Sequence, residues 1–313
     1  MAELNRFNIF YLGKICVVCH SVCFSFLICL LVTNCQAQIH FPDINLKNCL
    51  VNVYDTNMDG EIDISEAEAA TGYLDCYNQS ITNAEGIAFF SNVDTVDLGM
   101  NQLVSLPDMS AMDLVHTLWL DHNQLVHLQG VAGMDNLSLI SCTFNQLLDL
   151  EGLVNLPSLE ILQCRSNFLT NIPTSLLTLT NLTRISCEDN FLSTLPDLSP
   201  LSSLESFYCG GNMITQVPDL SALANIHTFA IQYNQLSELP SISELGVLTS
   251  LTCFNNFLTT SSCPSLAPFS VGNYSQGRNG FHRDLSEWPS RNVLAWVTDL
   301  EQSSFGTYTL NCE

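Results

Sequence analysis

One short segment near the amino end carries oxygen-bearing side chains at the spacing of a metal-binding loop. Six positions of this twelve-residue stretch are filled by Asp55, Asn57, Asp59, Glu61, Asp63 and Glu66. Gly60 permits the sharp turn that such a loop requires, and carboxylate, amide and carbonyl oxygens are the ligands that Ca²⁺ prefers. The segment therefore predicts one calcium site, in which Glu61 binds through its backbone carbonyl, Asp63 binds through water and Glu66 is bidentate.

The same segment matches the pattern D-x-D/N-x-D/N-G-x5-E at every position, and it resembles the calcium loop of EF-hand and dockerin proteins. Helices are predicted on both sides, over residues 43–53 and 65–70. Because only one loop is visible in the sequence, the paired arrangement of a cytosolic sensor is not expected. We expect calcium to order residues 39–70 as an amino-terminal cap. The alternative is an acidic loop or helical cap of similar sequence that binds no metal.

The cap precedes a long internal repeat. Asparagines recur every 22 residues, with one step of 23, at Asn101, Asn123, Asn145, Asn167, Asn190, Asn212, Asn234 and Asn256. Each stands in one frame of apolar residues, seen in Val115-x-x-Leu118-x-Leu120-x-x-Asn123-x-Leu125. The frame predicts a short strand in each copy with alternate side chains pointing inward, so that stacked copies build a parallel sheet. The asparagine amides are expected to bond to backbone groups of neighbouring turns.

This frame resembles that of leucine-rich repeats, and its length and its Leu-Pro return segments resemble the internalin-type repeats of bacterial surface proteins. The resemblance covers residues 71–269, about nine turns if a first copy without asparagine is counted. It implies an α/β-repeat solenoid with a curved parallel sheet on the concave face and extended or 3-10 segments on the convex face. Residues 270–313 lose the frame and are interpreted as a carboxyl-terminal cap or a partial immunoglobulin-like remnant.

Cysteine fills the sixth frame position in six turns, at Cys76, Cys142, Cys164, Cys187, Cys209 and Cys253. Because Leu98, Leu120 and Ile231 take the same position elsewhere, we interpret these cysteines as small buried hydrophobes. The alternatives are disulfides between adjacent turns, which a parallel ladder suits poorly, and a metal site. Cys49, Cys263 and Cys312 lie outside the ladder, and their pairing stays open.

Residues 1–38 have the organisation of an export signal, since Arg6 and Lys14 flank an apolar run that ends before a small-residue exit. An uncleaved membrane anchor and lipidation at Cys35 are the alternatives. No second apolar span follows in the sequence, so a secreted or cell-surface protein is expected. The 31 acidic residues against 8 Lys and Arg give a formal charge of −23, which excludes nucleic acid and anionic membranes as expected partners.

Outward-facing residues of the predicted concave sheet form the candidate partner surface. It comprises an amino-terminal set, Trp119, His122 and Phe144, a carboxyl-terminal set, Tyr208, Tyr233 and Phe254, and two cations between them, Arg165 and Arg184. Aromatic side chains with arginine are typical of contact surfaces, so we expect a monomer that binds a protein or glycan. The alternative is an ordinary scatter of exposed aromatics.

No catalytic motif is visible in the sequence, and the histidines of the repeats stand at different frame positions, so an enzyme is not expected. Arg184, Glu188 and Asp189 are interpreted as ion-pairing residues rather than an acid–base cluster. The leading hypothesis is an exported recognition protein, such as an adhesin. A structural envelope or matrix component without a specific ligand is the second hypothesis. The third is an intracellular regulatory subunit, which requires that the apolar amino terminus be misread.

Overall fold

The computed structural model describes residues 37–241, 245–253 and 255–257. Predictions for the export segment up to residue 36, for Phe254 and for everything from residue 258 onward, including Cys263 and Cys312, lie outside the described residues. Within them, two short helices precede nine strands.

The strands come one from each repeat and pair in chain order into a single parallel sheet. They are β1 (Gly72–Asp75), β2 (Val93–Asp97), β3 (Thr117–Trp119), β4 (Leu139–Ser141), β5 (Ile161–Gln163), β6 (Arg184–Ser186), β7 (Ser206–Tyr208), β8 (Thr228–Ala230) and β9 (Ser250–Thr252). Equivalent frame positions lie opposite each other, as Leu118 and Ile140 do. The predicted strand in each repeat is confirmed, and each frame position becomes a column that runs along the sheet.

The inward frame positions form one continuous core. Leu118 and Leu120 of a strand half are fully buried, and so are Leu220 and Leu223 of a return half. A single copy cannot bury both rows, so the stacking of copies stabilises the fold. The return segments contain short 3-10 turns at Ile87–Phe89, Gln129–Val131 and Thr174–Thr178, as predicted.

The repeated asparagine satisfies backbone groups at the bend that follows each strand. Asn145 donates from Nδ2 to the carbonyls of Leu120 and Cys142, at 2.9 and 3.0 Å, and its Oδ1 accepts from the Leu125 amide at 3.0 Å. Two of these partners belong to the preceding turn. The asparagine amide therefore links adjacent copies. It also satisfies buried backbone groups that would otherwise lack a hydrogen-bond partner.

Two helices precede the sheet, α1 (Ile44–Tyr54) and α2 (Ile64–Ala69). Each lies within one residue of its predicted range. Asp43 and Asp63 act as their amino-terminal caps, since each carboxylate accepts hydrogen bonds from amides of the first turn. The fully buried Leu46, Leu50 and Ile62 join the core that contains Leu74 of β1, so the helical segment covers the amino end of the solenoid.

One cysteine prediction is wrong. Cys76 is not a free core residue, because it forms a disulfide with Cys49 of α1, with their Cα atoms 5.9 Å apart. The physical reason is its position: Cys76 follows the first strand of the sheet, and α1 rather than another turn faces it. The other described members of the ladder are free, with Cys142, Cys164, Cys187 and Cys209 buried and Cys253 partly buried. Their interpretation as core residues is confirmed.

Candidate functional site

The predicted calcium loop is closed by hydrogen bonds from its own backbone. Asp55 accepts from the amides of Asp59 and Gly60, at 3.2 and 2.9 Å, and Asn57 Oδ1 accepts from the Asp59 amide at 2.8 Å. Met58 and Gly60 adopt left-handed backbone conformations, with φ of 60° and 81°. The side chains of the first and third loop residues therefore converge on the same amide, as a loop that folds around a cation requires.

Glu66 brings the end of the loop back to its beginning. Its carboxylate accepts from the amides of Thr56, Asn57 and Asp63, at 2.8, 3.2 and 3.0 Å, although the residue is only 5% exposed. None of the ion pairs among the described residues includes it. A buried carboxylate held only by neutral donors is a place where a cation would be stabilised.

The carboxylates of two other predicted ligands, Glu61 and Asp63, have hydrogen-bond or ion-pair partners of their own. The Glu61 carboxylate pairs with Lys47, which leaves its backbone carbonyl for the predicted role. Asp63 caps α2, and the Ser65 hydroxyl, more than any other neighbour, lowers the pKa of its carboxyl group. In the part of the chain that the structure describes, no three His, Cys, Asp or Glu side chains are arranged to hold a metal ion. The oxygen-only donor set fits calcium, but binding would require carboxylates to turn from amides to the ion.

On the concave face, two members of the amino-terminal aromatic set, His122 and Phe144, are brought together. Trp119 ends β3, and the rings of His122 and Phe144 stack with centroids 4.5 Å apart and an interplanar angle of 13°. His122 and Phe144 occupy the eighth frame position, which has positive φ in successive turns, 56° and 55° in these two residues. Phe144 is 36% exposed. The geometry produces a solvent-facing aromatic pair across two neighbouring turns.

The carboxyl-terminal set is placed in part. Tyr208 ends β7 and is partly buried, while Tyr233 lies on the next turn and is 42% exposed. Phe254 lies outside the described residues. Tyr233 also has a left-handed backbone, with φ of 56°.

The two predicted arginines behave differently. Arg165 Nε donates to Asp189 Oδ2 at 2.9 Å, so Asp189 pairs with this arginine and not with Arg184. Arg184 begins β6 and is exposed. Burial raises the pKa of the Glu188 carboxyl group, which also lies near Arg165 and Asp189. Of the three residues interpreted as ion-pairing from the sequence, only Asp189 forms an ion pair among the described residues, and its partner is Arg165.

The chain resembles several solved structures. No family model and no curated protein matches the chain. Among solved structures, internalin C2 of Listeria monocytogenes is 27% identical with a TM-score of 0.59, and the match covers 69% of this chain and 98% of that one. The functional domain of InlJ from the same species, which includes a cysteine ladder, is also 27% identical, with a TM-score of 0.58. That match covers 70% of this chain but only 52% of the InlJ domain.

A leucine-rich-repeat protein of Leptospira interrogans matches the fold at 24% identity, with a TM-score of 0.51, over 58% of this chain and 54% of that one. The fold is a leucine-rich-repeat solenoid. Its structural neighbours include internalins, so the resemblance to internalin-like repeats is supported. Solenoids of this kind are protein-interaction scaffolds, because the stacked repeats form an extended concave surface. The described part of the solenoid contains no helix that is both long and apolar enough to cross a membrane.

Sequence reasoning missed two features of the solenoid's surface. Phe168 and Phe191, at the tenth frame position, stack with centroids 5.9 Å apart, and Phe168 is 45% exposed. Asp75 and Asp97, at the fifth position, lie side by side on β1 and β2. Both features repeat a residue type at the repeat spacing, so a search of every outward column would have found them.

Proposed function

We propose that the protein is an exported, non-enzymatic recognition protein that binds a protein or glycan partner on its concave face as a monomer, with calcium ordering its amino-terminal cap. The observation that carries the proposal is the stacked His122 and Phe144 pair, held at solvent by left-handed backbone. Asparagine and glycine adopt this conformation most readily, and for other residues it costs about 1–2 kcal/mol.

The side chains at the eighth frame position support a selected surface rather than a chance one. Gly211 and Asn255 fill this position in two turns, with φ of 67° and 54°. Met100, Ser166 and Asp189 also have positive φ at this position, so the left-handed backbone belongs to the fold. The choice of side chain is free, and it is aromatic in His122, Phe144 and Tyr233. Exposed aromatic side chains are the residues that anchor interfaces.

The disulfide supports export. A Cys49–Cys76 bridge forms and persists in an oxidising compartment, whereas cytosolic thiols are kept reduced. This favours a secreted or cell-surface protein over an intracellular regulatory subunit. The structural envelope component is disfavoured by the aromatic pair, because a purely structural rod gains nothing from stacked rings exposed on its inner face.

The calcium proposal rests on the buried Glu66 carboxylate and on the loop that encloses it. Asp55, Asn57, Asp59, the Glu61 carbonyl, Asp63 and Glu66 would hold the ion, which would supply the positive charge that this carboxylate lacks. Ile62, fully buried in the middle of the loop, accepts at its carbonyl from the Ile39 amide at 2.8 Å. Ordering the loop would therefore also order the first residues of the cap.

The binding proposal is tested by the double substitution Trp119→Ala/Phe144→Ala in an adhesion assay with intact cells. Phe89→Ala is the matched control, because Phe89 is 47% exposed but belongs to a return segment. We expect the double variant to lose adhesion and the control to keep it. Unchanged adhesion in the double variant and in a Tyr208→Ala/Tyr233→Ala variant would reject the concave face as the binding surface.

A further inference from the structure

The first three strands place two carboxylates and an indole in one outward column. Asp75 of β1 is in register with Asp97 of β2, and Asp97 is in register with Trp119 of β3. Neighbouring strands lie about 4.8 Å apart, so the two carboxylates are held close together on the open sheet face. Like charges placed directly opposite each other on adjacent strands destabilise a sheet.

The carboxylates are fixed in this arrangement by their surroundings. Asp75 Oδ1 accepts from the Tyr77 amide at 3.0 Å, and Asp97 Oδ1 accepts from the Gly99 amide at 2.8 Å. The Tyr73 hydroxyl donates to Asp97 Oδ2 at 2.8 Å. Burial, then the hydrogen bond to Asp97 and the negative charges of Asp97 and Asp75, raise the pKa of this hydroxyl, so Tyr73 remains a donor at neutral pH. The pair therefore cannot separate freely to relieve its repulsion.

No cation of the described chain neutralises the pair. The lysines and arginines among the described residues are Lys47, Arg165 and Arg184. Lys47 pairs with Glu61, Arg165 pairs with Asp189, and Arg184 begins β6, four strands away from β2. The positive charge that would stabilise Asp75 and Asp97 must come from outside this part of the chain.

Aromatic surfaces surround the two carboxylates. Tyr73 and Tyr77 are 50% and 48% exposed, and Trp119 is partly exposed beside Asp97. Gly99 is buried below the Tyr77 ring, and a Cβ on this glycine would meet the ring at 3.2 Å, so the ring lies directly on bare backbone. Carboxylates beside aromatic faces are a binding environment for arginine and lysine, through ion pairing and cation–π contact.

We propose that this acidic–aromatic patch (Tyr73, Asp75, Tyr77, Asp97 and Trp119) docks a basic segment of a protein partner, with an arginine or lysine side chain bound by Asp75 and Asp97 against Trp119. The inference rests on the proposed function and deepens it, since it names the chemistry of the partner at one end of the concave face. The negative charges of Asp75 and Asp97 favour a basic segment over a neutral glycan, because sugar hydroxyls would leave these charges uncompensated.

The test is a fluorescence-anisotropy titration of the full chain with a labelled peptide of alternating glycine and arginine, at near-physiological ionic strength. The test variant is Asp75→Asn/Asp97→Asn, whose amide oxygens still accept from the Tyr77 and Gly99 amides. Asp113→Asn/Asp135→Asn is the matched control: these exposed aspartates are also one repeat apart, but they lie in the turns before β3 and β4. Thermal melting of each variant verifies folding.

We expect the test variant to bind the peptide about tenfold more weakly than the control variant, a difference of about 1.4 kcal/mol. Equal weakening in both variants would show general attraction to an acidic protein and would overturn the inference. Displacement of the peptide by a neutral oligosaccharide would overturn it in favour of a glycan site. If the peptide fails to bind while Trp119→Ala/Phe144→Ala still abolishes cell adhesion, the basic-segment inference is rejected and the proposed function stands.

Discussion

The rings of His122 and Phe144 stack across neighbouring turns of the solenoid, with centroids 4.5 Å apart, at a frame position where both residues have left-handed backbone. The repeat imposes the same backbone on Ser166 and Asp189, so only the exposed aromatic rings are particular to this pair. The frame that specifies the solenoid fixes its buried columns and leaves the outward columns free, so this pair is not a requirement of the fold. The buried columns are therefore needed for folding, whereas the aromatic pair is available to contact a partner.

Replacing Phe144 by Asn should separate stability from binding. Asparagine tolerates left-handed backbone, which recovers about 1–2 kcal/mol, while the lost stack with His122 forfeits about 0.5–1.5 kcal/mol. These terms oppose each other, so we expect the free energy of unfolding in urea to stay within about 1 kcal/mol of the parent. Adhesion should nevertheless fall sharply. An Asn variant that adheres like the parent would contradict a binding role for this ring.

Asp43 should make the cap sensitive to acid. Its carboxylate caps α1 through the Leu46 amide at 3.2 Å, and it also accepts from the amide and hydroxyl of Thr82, both at 2.7 Å. Burial opposes ionisation, but hydrogen bonds from Thr82, Asn45 and Leu46 outweigh it and lower the pKa of Asp43. One side chain therefore joins the cap to the first repeat.

The sign of the pH effect follows from that lowered pKa. A carboxyl group whose pKa is lower in the folded state stabilises the fold above its unfolded pKa, near 3.9, and this stabilisation is lost as the pH falls through the folded value. We expect Asp43→Asn to lower the free energy of unfolding at neutral pH by about 2 kcal/mol and to flatten its dependence on pH below about 4. Urea unfolding across this range provides the measurement. The exposed-site variant Asp113→Asn should match the parent at every pH.

The Cys49–Cys76 disulfide should contribute strongly to stability. The bridge closes a loop with a sequence separation of 27 residues, for which chain entropy gives about 3–4 kcal/mol. We expect dithiothreitol to lower the melting temperature of the parent and to leave a Cys49→Ala/Cys76→Ala variant unchanged. Cys142→Ala keeps the bridge and should remain sensitive to the reductant. A parent that melts identically with and without reductant would show that the bridge is absent or without effect.

The free cysteines of the ladder should be alkylated slowly and in the order of their exposure. Burial raises the pKa of the Cys142, Cys187 and Cys209 thiols well above the ordinary value, and it raises that of the less buried Cys253 to about 11. Because the thiolate is the reactive form, iodoacetamide at mildly alkaline pH should modify Cys253 before the three buried thiols. Peptide mapping by mass spectrometry measures the order. Early modification of Cys142 would contradict the packed core described for the ladder.

The sheet could be predicted from the sequence because each repeat has the same spacing of buried apolar residues and asparagine. Leu118, Leu120 and Asn123 must face inward or bond to neighbouring turns wherever the frame occurs, so their structure follows from spacing alone. Cys76 was misjudged because the first position of a column has no preceding turn, and a helix faces it instead.

Outward columns were harder to interpret. Asp75 and Asp97 meet no packing constraint, and their relationship becomes visible only when strands are set in register. The calcium loop is an intermediate case. The spacing of its oxygen-bearing side chains is visible in the sequence. The hydrogen bonds from backbone amides to Asp55 and Glu66 are visible only in the folded loop.

Those hydrogen bonds sharpen the calcium prediction. If the ion replaces amide donors around Asp55 and Glu66, EDTA should lower the melting temperature of the parent, because ligand that binds only the folded state stabilises it by mass action. Asp55→Ala should melt at one temperature with or without EDTA. Glu85→Ala, which removes an exposed carboxylate outside the loop, should retain the response. Asp55 is preferable to Glu66 as the test position because Glu66 also completes the capping box of α2, so its removal would destabilise the cap even without calcium. An identical melt of the parent in both conditions would reject calcium as the element that orders the cap.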